Sequence, residues 1–141
     1  SFSNSYATLF GLLSYNKTYY WRLTVWDSDN LSSSWIYGPS FTTPKHHYPS
    51  PEFSWSPTNI NEGTSIDFID ESACYNISNA PISCSDWLWD IPYANYLNGT
   101  TPSSQNPTVE FTSLGSKTIT LQVSDGKYAC SISHNISVHV P

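Results

Sequence analysis

Apolar and polar residues alternate along much of the chain with a period of two, the mark of strands that bury one face. The clearest early stretch is Tyr19-Tyr20-Trp21-Arg22-Leu23-Thr24-Val25-Trp26. Tyr19, Trp21, Leu23 and Val25 share one face and are expected to point at a core; Tyr20, Arg22, Thr24 and Trp26 share the other. Asp27-Ser28-Asp29-Asn30 follows as a turn, because Asp and Asn side chains bond their own backbone. A further short strand is expected over Gly38–Thr43. Pro44 to Pro51 holds three prolines and the pair His46-His47 and reads as a linker, with both histidines exposed.

Beyond Pro51 the alternation is more complete. Strands are expected over Phe53–Ser56 and over Thr64–Ile69, with Ile66 and Phe68 inward. Asp86–Ile91 places Trp87, Trp89 and Ile91 on one face, and Thr108–Phe111 alternates again. Lys117–Val123 turns Ile119, Leu121 and Val123 inward and Thr118, Thr120 and Gln122 outward. Asp125-Gly126 is a hairpin signal, and the last strand carries Ile132, Ile136, Val138 and Val140 on one parity. Short strands separated by turn chemistry over some ninety residues predict a Greek-key β-sandwich. Residues 1–46 offer only three strands, too few to bury a core unaided. They are therefore expected to be the C-terminal part of a domain whose opening strands lie upstream. The organisation expected is 1–46, a linker at 47–51, and a sandwich at 52–141.

Composition narrows the function classes. The 141 residues carry 11 Asp and Glu against 5 Lys and Arg, a net charge of −6. Charged residues make up 11%, less than half the roughly 25% of an average soluble domain, so a basic nucleic-acid footprint is excluded. Charge is also divided unevenly. Residues 1–46 hold three basic and two acidic side chains, whereas 47–141 hold two basic and nine acidic ones. No apolar run approaches the 18 or so residues that a spanning helix needs. The 16% aromatic content, with six Trp and ten Tyr, argues against disorder. Helix periodicity is nearly absent. The chain has neither a Met nor a signal peptide and is expected to be a segment of a longer one.

Two resemblances follow from particular residues. Leu13-Ser14-Tyr15-Asn16-Lys17-Thr18-Tyr19-Tyr20-Trp21-Arg22-Leu23, with Trp26-Asp27-Ser28-Asp29 and the closing Ser40-Phe41-Thr42-Thr43, resembles the end of a fibronectin type III domain. That resemblance implies a tyrosine corner, with the Tyr19 hydroxyl returning to backbone near Leu13. Ile66-Asp67-Phe68, Trp89-Asp90-Ile91, Asn106-Pro107-Thr108-Val109-Glu110-Phe111 and Gly115 through Asp125 resemble a polycystic-kidney-disease (PKD) repeat, an immunoglobulin-like sandwich. The PKD pattern has Trp-Asp-Phe-Gly-Asp-Gly where this chain has Trp89-Asp90-Ile91-Pro92-Tyr93-Ala94. The connection after that strand should therefore differ. Both families imply extracellular, cell-surface or secreted, non-catalytic modules. They space, adhere or bind surface proteins, glycans and neighbouring modules, as in microbial surface proteins.

Candidate chemistry is sparse. Cys74, Cys84 and Cys130 all fall in the second unit, without the Cys-x-x-Cys spacing of a zinc site. In an immunoglobulin-like topology all three lie near one end of the sandwich, so any pairing is open. Cys74–Cys84 is the pairing favoured, and Cys74–Cys130 is the alternative that would tie the sheets together. Asp70, Glu71 and Asp86 are the first choice for a calcium ion, since hard cations want several oxygen ligands, although no twelve-residue loop spacing occurs. No Gly-x-Ser-x-Gly elbow is present, and His134 and His139 fall on opposite faces of the last strand. Trp26, Trp35 and Tyr93 are the aromatics best placed to stack on a sugar or anchor a partner. Five Asn-x-Ser/Thr sequons, at Asn16, Asn30, Asn76, Asn98 and Asn135, are candidate glycosylation sites on turns or outward strand positions. The reading is an all-β, non-catalytic segment for spacing and adhesion. Its rival is a carbohydrate-binding accessory module of a secreted hydrolase.

Overall fold

The structure, a computed structural model, describes residues 13–141. Every regular element among them is a strand, and they divide into two compact units between His46 and His47. In the first unit the expected strand over residues 19–26 is split between two partners. β1 (Thr18–Tyr19) pairs with β4 (Phe41–Thr42), and β2 (Arg22–Leu23) pairs with β3 (Ile36–Tyr37), both antiparallel. Of the strand expected over Gly38–Thr43 only Phe41–Thr42 is regular; a separate strand, Ile36–Tyr37, precedes it, and Pro39 between them has no N–H with which to join the two.

The corner before β1 closes as expected. The Ser14 amide donates to the Tyr19 hydroxyl at 2.7 Å, and the Thr43 hydroxyl donates to the Ser14 carbonyl, also at 2.7 Å. The Tyr19 ring stacks on Phe41 with centroids 5.8 Å apart. The face expected to be buried is nonetheless open: Trp21, Leu23 and Val25 are all about half exposed. Among the described residues the two-stranded ladders have no second layer against which to bury that face. Trp21 instead lies flat on Gly38, where an added Cβ would stand 1.9 Å from the indole, so only glycine admits the contact.

The second unit contains the core. Its strands are β5 (Phe53–Ser56), β6 (Ile60–Asn61), β7 (Ser65–Asp70), β8 (Cys74–Tyr75), β9 (Pro81–Ile82) and β10 (Asp86–Asp90). They continue with β11 (Ala94–Tyr96), β12 (Thr108–Phe111), β13 (Gly115–Ser124) and β14 (Ala129–His139). One sheet has the order β10-β13-β14-β6 and the other β11-β12-β7-β5, with β8-β9 as a separate hairpin. The chain leaves the second sheet after β5 and joins the first as β6, parallel to β14. This is the two-sheet arrangement of an immunoglobulin-like sandwich.

Parity decides what lies between the sheets. Ile66, Phe68, Val109, Phe111, Ile119, Leu121 and Val123 are buried as expected, as are Trp89, Ile91, Ile136 and Val138. Trp87 and Ile132 are half-buried against this cluster, while Val140, past the end of β14, is exposed. Burying each large apolar side chain contributes roughly 1.5–3 kcal/mol. The ladder between β13 and β14 runs from Gly115↔Val138 to Ser124↔Ala129 and is closed by the Asp125-Gly126 turn. There the Asp125 carboxylate accepts from the Lys127 and Tyr128 amides, both at 2.7 Å.

The linker expected at residues 47–51 is tied to the second unit. Ser50 and Ala73 exchange backbone hydrogen bonds at 2.8 and 2.9 Å, and the His47 amide donates to the Asn79 side chain. His46 is 2% exposed, contrary to the solvated position expected of a linker histidine.

Cys74 and Cys84 form a disulfide with Cα atoms 5.2 Å apart, flanking the β8-β9 hairpin; Cys130 is a free, half-buried thiol in β14. A loop of this length contributes roughly 2–3 kcal/mol by restricting the unfolded chain. Breaking it with Cys84→Ser should lower the unfolding free energy in a urea titration by about that amount, and Cys130→Ser should cost less than about 1 kcal/mol. Equal losses in the two variants would contradict the assignment.

Glu52 and His134 bring the start of β5 to β14, with Nε2 to Oε1 at 2.6 Å, and the imidazole packs edge-on against Phe53 at 4.7 Å. The hydrogen bond from His134, helped by the Phe53 amide, holds the Glu52 carboxyl below its ordinary pKa of 4.5. A lowered folded-state pKa contributes stability above the unfolded value that is lost as pH falls through the folded one. The stability of the wild type should therefore fall more steeply than that of Glu52→Gln as pH drops below about 4.5. Parallel pH–stability curves for the two would show that the pair contributes nothing.

Candidate functional site

The first unit exposes two unlike faces. Register places Leu23 opposite Ile36 and Tyr19 opposite Phe41, so one face carries Tyr19, Trp21, Leu23, Ile36 and Phe41. It is apolar almost throughout. Arg22 lies opposite Tyr37, so the other face carries Tyr20, Arg22, Trp35 and Tyr37, with Trp26 on the same parity of the chain. Trp26 is 62% and Tyr37 71% exposed, and Tyr20 is more exposed still.

This second face is built by local geometry. Its turn is set by Asp27, whose Oδ1 accepts from the amides of Asp29 and Leu31 at 2.9 Å each, with Asn30 in the left-handed region at φ 61°. Thr24 is buried and donates to the Ser33 carbonyl at 2.9 Å, pinning the returning segment. The Arg22 guanidinium carbon sits 4.1 Å from the centroid of the Trp35 ring, a cation–π contact that orients both groups. Sequence parity pointed to Tyr20, Trp26 and Trp35. Arg22 and Tyr37 were missed as site residues, although the same alternation, Trp35 with Tyr37 and Arg22 with Trp26, would have found them.

Tyr93 occupies a separate place in the second unit. It lies in the turn after β10 and takes φ 58°, a conformation costly for a bulky side chain. Its carbonyl accepts from both the amide and the hydroxyl of Thr112, at 2.9 and 3.0 Å. The chain then crosses to the opposite sheet as β11. Lys117, 7% exposed, donates to the Leu114 carbonyl at 2.7 Å and stands 5.2 Å from the Tyr93 ring centroid. The ring itself is 69% exposed. Tyr96 nearby has its pKa raised by burial and by the charge of Asp90.

The three carboxylates nominated for calcium are each engaged separately. Asp70 accepts from the Trp87 indole at 2.7 Å, from Gln105 at 3.1 Å and from the Ser72 amide at 3.0 Å. Glu71 accepts from Ser54 and Asp86 from Ser85. Among the described residues no group of three His, Cys, Asp or Glu side chains is arranged to hold a metal ion. The sequons also differ. Asn16, Asn30 and Asn98 lie exposed on turns at φ 53°, 61° and 53°. The Asn76 side chain caps its own turn by accepting from the Ser78 and Ala80 amides, and Asn135 accepts from Thr118 across the ladder.

No protein-family model matches the sequence, and no curated protein does. Solved structures resemble it in fold. One comes from work on the promiscuous specificity of carbohydrate-binding modules of the β-sandwich superfamily, with a TM-score of 0.52 and 18% identity. The match covers 67% of this chain and 35% of that one, so this chain spans about a third of its length. Another is the PKD1 domain of Epp from Vibrio anguillarum, with a TM-score of 0.48 and 21% identity over 67% of this chain and 98% of that one. The sheet order and the first of these matches together define the fold class: an all-β, immunoglobulin-like sandwich.

Proposed function

We propose that the chain is a non-catalytic, extracellular modular segment that spaces and adheres, and that it holds glycans through the aromatic face of its first unit. The observation that carries this reading is that face: Tyr20, Trp26, Trp35 and Tyr37 stand exposed on one side of a sheet whose other side is an apolar packing surface. Flat amphipathic rings of this kind stack on the C–H faces of sugars. The first unit is read as the closing end of a fibronectin type III-like sandwich at residues 1–46. The Tyr19–Ser14 corner and the continuous Trp21, Leu23 and Ile36 surface support that reading, the latter as the inner face. The disulfide supports an oxidising, extracellular setting. The second unit, residues 47–141, supplies a sandwich of the PKD type as spacer.

A second reading, a carbohydrate-binding accessory module of a secreted hydrolase, is favoured by the same aromatic face and by the β-sandwich fold shared with carbohydrate-binding modules. The two differ in what adjoins the chain: tandem repeats of like modules for a spacer, a catalytic domain for an accessory.

Affinity electrophoresis of the full chain through gels carrying soluble polysaccharides tests the shared claim. At least one polysaccharide should retard the wild type. Trp26→Ala and Tyr37→Ala should each weaken that retention about tenfold or more, with the thermal midpoint of the second unit unchanged. Retention untouched by both substitutions would remove the aromatic face as the site.

A further inference from the structure

The face that carries the glycan reading also carries a cation. Arg22 stands at its centre, directly across the ladder from Tyr37 and against Trp35. The guanidinium carbon lies 4.1 Å from the centroid of the indole, a contact that uses the charge but none of the N–H donors. Among the described residues no carboxylate or carbonyl accepts from them: the Arg22 side chain has the Trp35 contact and no other. The nearest acid in sequence, Asp27, already accepts two backbone amides within its own turn. A guanidinium held in this way presents a fixed fork that matches a carboxylate with two parallel hydrogen bonds. The charge partition agrees, because the first unit has more basic than acidic residues in a chain whose net charge is −6.

We infer that the ligand of this face is an acidic glycan, one built from uronic acid residues. This inference rests on the glycan reading above and deepens it. A uronate ring stacked on Tyr37 can turn its carboxylate to the cross-strand neighbour, which is Arg22. Tyr20 and Trp26 then flank the site on the Arg22 strand and offer stacking surfaces to the adjoining sugars. A neutral sugar offers the Arg22 donors only hydroxyl and ether oxygens, weaker acceptors than a carboxylate, which favours the acid.

The test is calorimetric titration of the full chain with hexagalacturonate, its fully methyl-esterified form, cellohexaose and a hexaglutamate peptide. The free hexauronate should bind, esterification should weaken it at least tenfold, and raising the salt should weaken it further. Arg22→Gln should weaken hexauronate binding at least tenfold. Arg22→Lys keeps the charge but loses the fork and should fall between. Lys17→Gln removes another exposed cation of the same unit and should change nothing. Because Arg22→Gln also removes the contact with Trp35, the Arg22→Lys and esterification arms keep the inference open to refutation if that variant misfolds. Equal binding of the free and esterified hexamers, or equal damage from Lys17→Gln and Arg22→Gln, would overturn the uronate assignment while leaving a glycan site. Preference for hexaglutamate would replace the sugar with a peptide. Binding of none of the glycans would overturn both readings.

Discussion

The register of β13 constrains the second unit more than any other single feature. β13 is paired on both sides, with β10 from Asp86↔Ser124 to Asp90↔Thr120 and with β14 along its whole length. Side chains alternate with a strict period of two, so a slip of one residue would turn Ile119, Leu121 and Val123 to solvent and bring Thr118, Thr120 and Gln122 inside. Such a slip loses the burial of three large aliphatic side chains, each worth roughly 1.5–3 kcal/mol, and strands three polar ones. The outward residues reinforce the same register: Thr118 bonds Asn135 and Thr120 bonds Ser133, each at 2.8 Å. The 25 Ser and 13 Thr of the chain are thus explained in part by a ladder of cross-strand bonds on an exposed face.

A core rich in Trp has to satisfy indole N–H groups, and the way it does so shapes the surface chemistry. Trp89 donates to the Ser104 carbonyl at 2.9 Å and Trp87 to Asp70. Asp70 also receives Gln105 and the Ser72 amide, so its carboxylate is committed to holding β7, β10 and the loop before β12 together. Its place among the nominated calcium ligands came from proximity in sequence. In the fold it is a hydrogen-bond acceptor at a half-buried edge, and its neighbour Glu71 is turned to a different partner. Lys117 follows the same logic: at an inward position of β13 its ammonium is satisfied by the Leu114 carbonyl and the Tyr93 ring.

The sandwich was legible because parity and burial coincide. Ile66, Phe68, Val109, Phe111, Ile119, Leu121 and Val123 follow from alternation alone, and the Asp125-Gly126 turn from the φ demands of a tight hairpin. The Cys74–Cys84 pairing was only one of the open choices, since spacing does not determine connectivity. Less legible were features that depend on register between distant segments. That Arg22 faces Tyr37 requires knowing that β2 pairs with β3, and Pro39 hides this pairing by breaking the ladder. His134 shares the inward parity of Ile132 and Ile136, but its bond to Glu52 spans 82 residues and no local pattern announces it.

The two faces of the first unit show why exposure by itself does not mark a site. Trp21, Leu23 and Ile36 are as open to solvent as several residues of the opposite face. What separates the faces is the chemistry each can leave in water. The first offers aliphatic groups and an indole fitted onto Gly38, which gain from any dry covering and specify nothing about it. The second offers rings with polar edges beside a guanidinium held in orientation by Trp35 and lacking an acceptor among the described residues. Covering that second face with an apolar layer would strand a charge, at a cost of several kcal/mol, so it is compatible only with solvent or with a ligand that supplies acceptors. Arg22, set within the second face opposite Tyr37, is therefore what distinguishes that face from the apolar one.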